Sequence, residues 1–116
     1  MSAESFIDDD LTSQLFRNEK LLDVFREEGA DLGEDRPIDF FFYTADRESA
    51  ESLATDLWAL GFAEVNVGSE ARNGQWSVIG VFLASVATVT DKAFVESLVR
   101  LAAKYLAEFD GWGAPV

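Results

Sequence analysis

Cysteine and histidine are both absent from the 116 residues. Without a thiol or an imidazole the chain can form no disulfide, no Cys/His zinc site, no thiolate nucleophile and no imidazole acid-base pair. Most enzyme mechanisms are thereby removed. Basic residues are scarce, nine against 22 acidic ones, giving a formal charge of −13 and a pI near 4.1. Nucleic-acid affinity depends on Lys and Arg displacing counterions, so direct binding of RNA or DNA is not expected. Half of the acidic residues, 11, fall within Met1 to Arg36 and the rest are spread along the chain, which describes an acidic surface rather than an acidic tail. The opening "MSAESFIDDD" has neither the basic nor the apolar region of a signal peptide, and a cytoplasmic location is expected. Long apolar runs are missing too. The longest uncharged stretch, Asn73 to Thr90, is interrupted by Asn73, Gly74, Gln75, Ser77, Ser85 and Thr88, and reads as a strand and a loop rather than a membrane span.

What is present is the material of a folded core. Hydrophobic residues make up 48% and aromatic ones 13%, enough for one domain over residues 1–116 despite the charge. A first helix is expected from Asp9 or Asp10 to Glu28, started by the Asp8-Asp9-Asp10 run and stopped by Gly29, with Leu11, Leu15, Leu22 and Phe25 close to one face. "IDFFFYT" is a strand. A second helix follows, with Ala50, Leu53, Ala54, Leu57 and Leu60 on one face, Thr44 or Asp46 at its start and Gly61 at its end. Two apolar runs surround Asn73-Gly74, a pair suited to a type I′ hairpin turn. Thr88 to Asp91 has capping-box spacing ahead of a last helix that carries Phe94, Leu98, Leu101 and Tyr105 and should end near Glu108.

The order βαββα, with a terminal segment around Trp112 that can add a short fourth strand, is the split βαβ pattern of a ferredoxin-like α+β fold with an extra N-terminal helix. Its antiparallel sheet would be apolar on both faces. Ile38, Phe40 and Phe42 oppose Phe41 and Tyr43 in the first strand, and Ile79, Val81 and Leu83 oppose Trp76, Val78 and Phe82 in the third. The expected cover for the second face is the N-terminal helix, whose apolar stripe otherwise lacks a place to pack. A symmetric partner or a bound peptide would serve as well.

No catalytic, cofactor or metal residues can be named. The carboxylates form no recognisable acid/base pair, and Asp8, Asp9 and Asp10 lack the Gly and Glu spacing of an EF-hand loop. Gly68, Gly74 and Gly80 are scattered through a hairpin instead of opening a helix, so they form no phosphate loop. The informative string is "FDGWG", Phe109 to Gly113, where glycines on both sides let the backbone turn sharply and fix the indole in one place. Trp112 is expected to fold back as an anchor, with a binding role as the alternative.

"EFDGWG" after a long amphipathic helix, in an acidic chain with a strand, helix, hairpin layout, resembles the family of the regulator of ribonuclease E activity B, in which a Tyr/Phe-Asp-Gly-Trp-Gly string follows the last helix. The resemblance implies a non-catalytic protein, needing no cofactor, that binds ribonuclease E or its basic scaffold segment and inhibits or modulates it without touching RNA or a membrane. Asp110, Gly111, Trp112 and Gly113 are the motif residues it carries over. Better-known members continue past the Trp motif into a long acidic tail, whereas this sequence stops at Val116. Outside the resemblance, the residues also fit a homodimeric ferredoxin-like domain that uses its second sheet face for a subunit contact, a small ligand or another protein.

Overall fold

A computed structural model describes residues 3–29, 32–68 and 74–113. The elements are α1 (Ala3–Glu27), β1 (Asp35–Thr44), α2 (Arg47–Ala59), β2 (Glu64–Gly68), β3 (Trp76–Ser85), the short α3 (Val86–Val89), α4 (Lys92–Lys104) and β4 (Glu108–Gly113). The four strands form one sheet in the order β2-β3-β1-β4, with every neighbouring pair antiparallel. This is the α+β arrangement expected from the sequence, and the terminal segment does supply the fourth strand. β1 and β3 are central because they are the longest and most apolar strands.

Strand alternation sorts the residues between the two faces. Ile38, Phe40, Phe42 and Thr44 of β1 and Val78, Gly80 and Ala84 of β3 are buried beneath the helices. Phe40 lies opposite Gly80 in the ladder, and a Cβ built at Gly80 would come within 2.6 Å of the Phe62 ring. The missing side chain therefore admits Phe62 into the core, where it meets Phe40 edge-on at 5.6 Å.

The helix ends follow the local chemistry. Asp46 caps α2 through a 2.7 Å bond accepted from the Ser49 N–H, which also holds its carboxyl below the ordinary range. After α2, Gly61 takes φ 99° while Phe62 N–H bonds back to Leu57 O, a Schellman stop. Leu60, expected on the buried face, is the C-cap of this helix and is exposed. The capping box expected at Thr88 to Asp91 is replaced by two separate caps. Ser85 accepts from Thr88 N–H to start α3, and Asp91 accepts from Ala93 N–H to start α4. The last helix stops at Lys104, short of Glu108, because Leu106 adopts φ 54° and Ala107 N–H closes on Ala102 O.

Two further expectations change. α1 begins at Ala3, so the Asp8-Asp9-Asp10 run lies inside the helix rather than at its start. Ala3 and Glu4 are good helix formers, and the helix extends through them. Between β2 and β3 the ladder pairs Gly68 with Ser77, whereas an uninterrupted two-residue turn at Asn73-Gly74 would set Gly68 opposite Ile79. The hairpin exists in a different register; Gly74 does take a positive φ of 75°, and Asn73 lies outside the described residues.

A candidate protein-binding surface and the clamp that frames it

The N-terminal helix does not cover the second sheet face. It packs beside α4 on the helical side, where Leu11 joins Val95 and Val99 in a small core, with Leu15, Ala103 and Phe109 packed against it. The reason lies in the polar residues set within the α1 stripe. Gln14 and Asn18 are 4% and 3% exposed, and at that burial each needs a hydrogen-bond partner. β4 provides those partners. Gln14 Nε2 donates to Phe109 O at 2.8 Å, and Trp112 Nε1 donates to Asn18 Oδ1 at 2.7 Å. Arg17, on the same helical edge, lies 3.8 Å from the Asp110 carboxylate. Two turns beyond Asn18, Phe25 stacks on the Trp112 ring with centroids 5.8 Å apart.

The four motif residues occupy different environments. Trp112 is 7% exposed and pinned between α1 and the main core. Gly111 takes φ 100° in a β-bulge, where the β1–β4 register shifts between Phe40 and Phe42 and Asp110 and Gly111 together face Phe41. A β-carbon there would also point toward Gln14 and Arg17, 3.7 and 3.9 Å away. Gly113 lies on the other side of the sheet, 3.7 Å from the Phe41 ring by the same construction. The flanking glycines thus answer two needs: a positive φ before the indole and a small residue after it. Pattern reading of the sequence misses Gln14, Arg17 and Asn18; their signal is the interruption of the stripe Leu11, Leu15, Leu22 and Phe25 by amides at helical spacing.

With α1 on the helical side, the second sheet face is uncovered among the described residues. Pro37, Phe41 and Tyr43 of β1 alternate away from the core together with Ile79, Val81 and Leu83 of β3, and the ladder sets Phe41 opposite Ile79 and Pro37 opposite Leu83. Leu83 is 61% exposed and the ring of Phe41 is partly exposed. The polar side chains of this face are acidic or neutral. Asp35 and Asp39 come from β1, Glu64 and Asn66 from β2 and Glu108 from β4, and no Lys or Arg of any strand lies on it. Asn66 Nδ2 donates to Glu64 Oε1 at 3.1 Å along the β2 edge.

On the helical side Tyr105 donates to Asp56 Oδ2 at 2.5 Å and Lys104 Nζ lies 3.3 Å from the same oxygen, tying α4 to α2. The Tyr105 hydrogen bond is the main reason the Asp56 carboxyl is held below its ordinary value, and it raises the Tyr105 hydroxyl in turn. This cluster joins two helices. Among the described residues no group of three or more carboxylates could hold a metal ion, and no helix is long and apolar enough to cross a membrane.

Comparison with known proteins gives this architecture a lineage. The "Regulator of ribonuclease activity B" from Shewanella denitrificans is 29% identical over 107 residues, covering 89% of this chain and 82% of that protein. The proteins of the same name from Alteromonas mediterranea and Shewanella amazonensis are also 29% identical, over 83% and 89% of this chain and 75% of each relative. Residues 17–114, from the Arg17 contact of α1 through the Trp112 strand, match the family described as regulator of ribonuclease activity B, and the chain belongs to that family.

Proposed function

We propose that the protein is a non-catalytic cytoplasmic regulator that binds ribonuclease E and inhibits or modulates it, altering RNA decay by protein contact rather than by holding RNA. The observation that carries this reading is the open sheet face, apolar along β1 and β3 and rimmed by carboxylates, in a member of a ribonuclease-regulator family. Exposed apolar surface of this kind is characteristic of a protein contact. An acidic rim favours basic protein over phosphate, since guanidinium groups pair with carboxylates in a bidentate fork.

Stopped-flow binding of the purified chain to ribonuclease E, with labelled RNA as the control, tests the reading. A saturable complex with the nuclease and none with the RNA is expected. Rising salt should slow association more than it speeds dissociation, because steering is screened over about 8 Å at physiological ionic strength while close apolar contacts are not. Tight binding to RNA, or no complex with the nuclease, contradicts it.

A further inference from the structure

The amphipathic character of the open face is specific enough to name its occupant. We propose that it docks a basic protein segment whose arginines reach Asp35, Asp39 and Glu64 while its aliphatic side chains lie on Phe41, Ile79 and Leu83. The inference rests on the protein-contact reading above and adds the surface and the chemistry of the segment.

The strand ladder fixes the layout. Asp35 and Asp39 are four residues apart on one face of β1, which separates them by about 13 Å at 3.3 Å per residue. Asp39 and Glu64 both pair with Val81, from opposite sides, and so stand about 10 Å apart across two interstrand spacings. Between these carboxylates lies a continuous apolar strip, from Pro37 and Leu83 through Val81 to Phe41 and Ile79. The positions of charge and grease alternate along one face of β1, which matches an extended segment with arginines four residues apart and an apolar residue between them on the same face.

Other occupants fit less well on the same facts. A second copy of the chain, docked through this face about a two-fold axis, would bring Asp35, Asp39 and Glu64 of two molecules with a charge of −13 each toward one another. RNA and anionic lipid surfaces meet the same repulsion. A basic segment neutralises the rim and covers the apolar strip in one step.

The test uses ¹⁵N-labelled protein of residues 1–116 titrated with a synthetic peptide of arginine, leucine and serine long enough to span the ten residues of β1. The amide signals of Phe41, Val81 and Leu83 are expected to shift, and replacing the peptide leucines with serine should abolish the shifts. Leu83→Ser and the pair Asp39→Lys with Glu64→Lys should each weaken binding about fivefold or more, with the pair Glu48→Lys and Glu51→Lys on the helical side as the matched charge control. Spectra of the free variants confirm that each is folded. No binding, shifts centred on α1 and α4, equal weakening by Glu48→Lys with Glu51→Lys, or indifference to the leucines overturns the proposal. Concentration-dependent shifts of the same face without peptide also overturn it, in favour of self-association. The same variants are then measured against ribonuclease E. If the nuclease binds but ignores Leu83→Ser and the lysine pair, the docking surface is wrong and the regulatory reading stands. If the peptide binds the face and the nuclease forms no complex, the docking surface stands and the regulatory reading fails.

Discussion

Replacing Trp112 isolates the contact that holds α1 to the sheet. Loss of a buried Trp side chain costs about 3 to 5 kcal/mol in packing and cavity terms. Trp112→Ala also removes the stacked Phe25 contact, worth about 0.5 to 1.5 kcal/mol, and leaves the buried Asn18 Oδ1 without a donor. These terms overlap, so the expected loss is about 4 to 5 kcal/mol, a large part of the roughly 5 to 15 kcal/mol that holds a domain together. Trp112→Phe removes the N–H together with the pyrrole part of the buried indole, and should cost about 2 to 3 kcal/mol. Asn18→Ala removes the acceptor of the same bond, so the double variant should be less unstable than the sum of the singles by about 1 kcal/mol. The assay is urea unfolding followed by far-ultraviolet circular dichroism, because Trp58 and Trp76 would confuse a fluorescence signal. A loss below about 1 kcal/mol for Trp112→Ala, or strict additivity of Trp112→Phe and Asn18→Ala, refutes the clamp.

Gly80→Ala drives a methyl against the Phe62 ring and should destabilise by about 1 to 3 kcal/mol, with partial recovery when Phe62 is also replaced by Leu; denaturant titration of the single and double variants checks this. Leu106→Gly should stabilise by about 1 kcal/mol, since Leu106 holds a left-handed conformation with its side chain 91% exposed, so relief of strain loses no packing; a rise in the thermal midpoint is the readout. Tyr105→Phe acts on the acid limb of stability. Asp56 is held below its ordinary value of 3.8, chiefly by the Tyr105 hydroxyl, so its contribution is complete above that value and is lost as pH falls through the lowered one. The variant should therefore be less stable at neutral pH and converge with the parent in strong acid; a constant difference across the acid range contradicts this.

The sequence is most informative where one element's pattern decides its own structure. Alternation in "IDFFFYT", Gly61 after the α2 stripe and the terminal "EFDGWG" each carry a local signal that the structure follows. It is least informative where two elements compete for one partner. The destination of α1 differs from the expected one because the stripe Leu11, Leu15, Leu22 and Phe25 suits any apolar face, including the open side of the sheet. The deciding information is polar and distributed: Gln14 and Asn18 on α1 match a carbonyl and an indole N–H roughly ninety residues away. A second clue lies in α4, where Val95 and Val99 form an apolar stripe beside Phe94, Leu98 and Leu101, so that this helix must be covered on two sides. The hairpin register differs because a favourable Asn-Gly pair marks where a turn can form, whereas pairing along β2 and β3 decides how the strands align. The stop at Leu106 has no glycine to announce it.

Regulation of a ribonuclease by protein contact can be followed as the rate of labelled-RNA cleavage by purified ribonuclease E while this protein is added. Cleavage should fall in a saturable way, the protein alone should leave the RNA intact, and Leu83→Ser combined with Glu64→Lys should shift the response to higher concentration. An unchanged cleavage rate at saturating protein, or RNA cleavage by the protein itself, would contradict it.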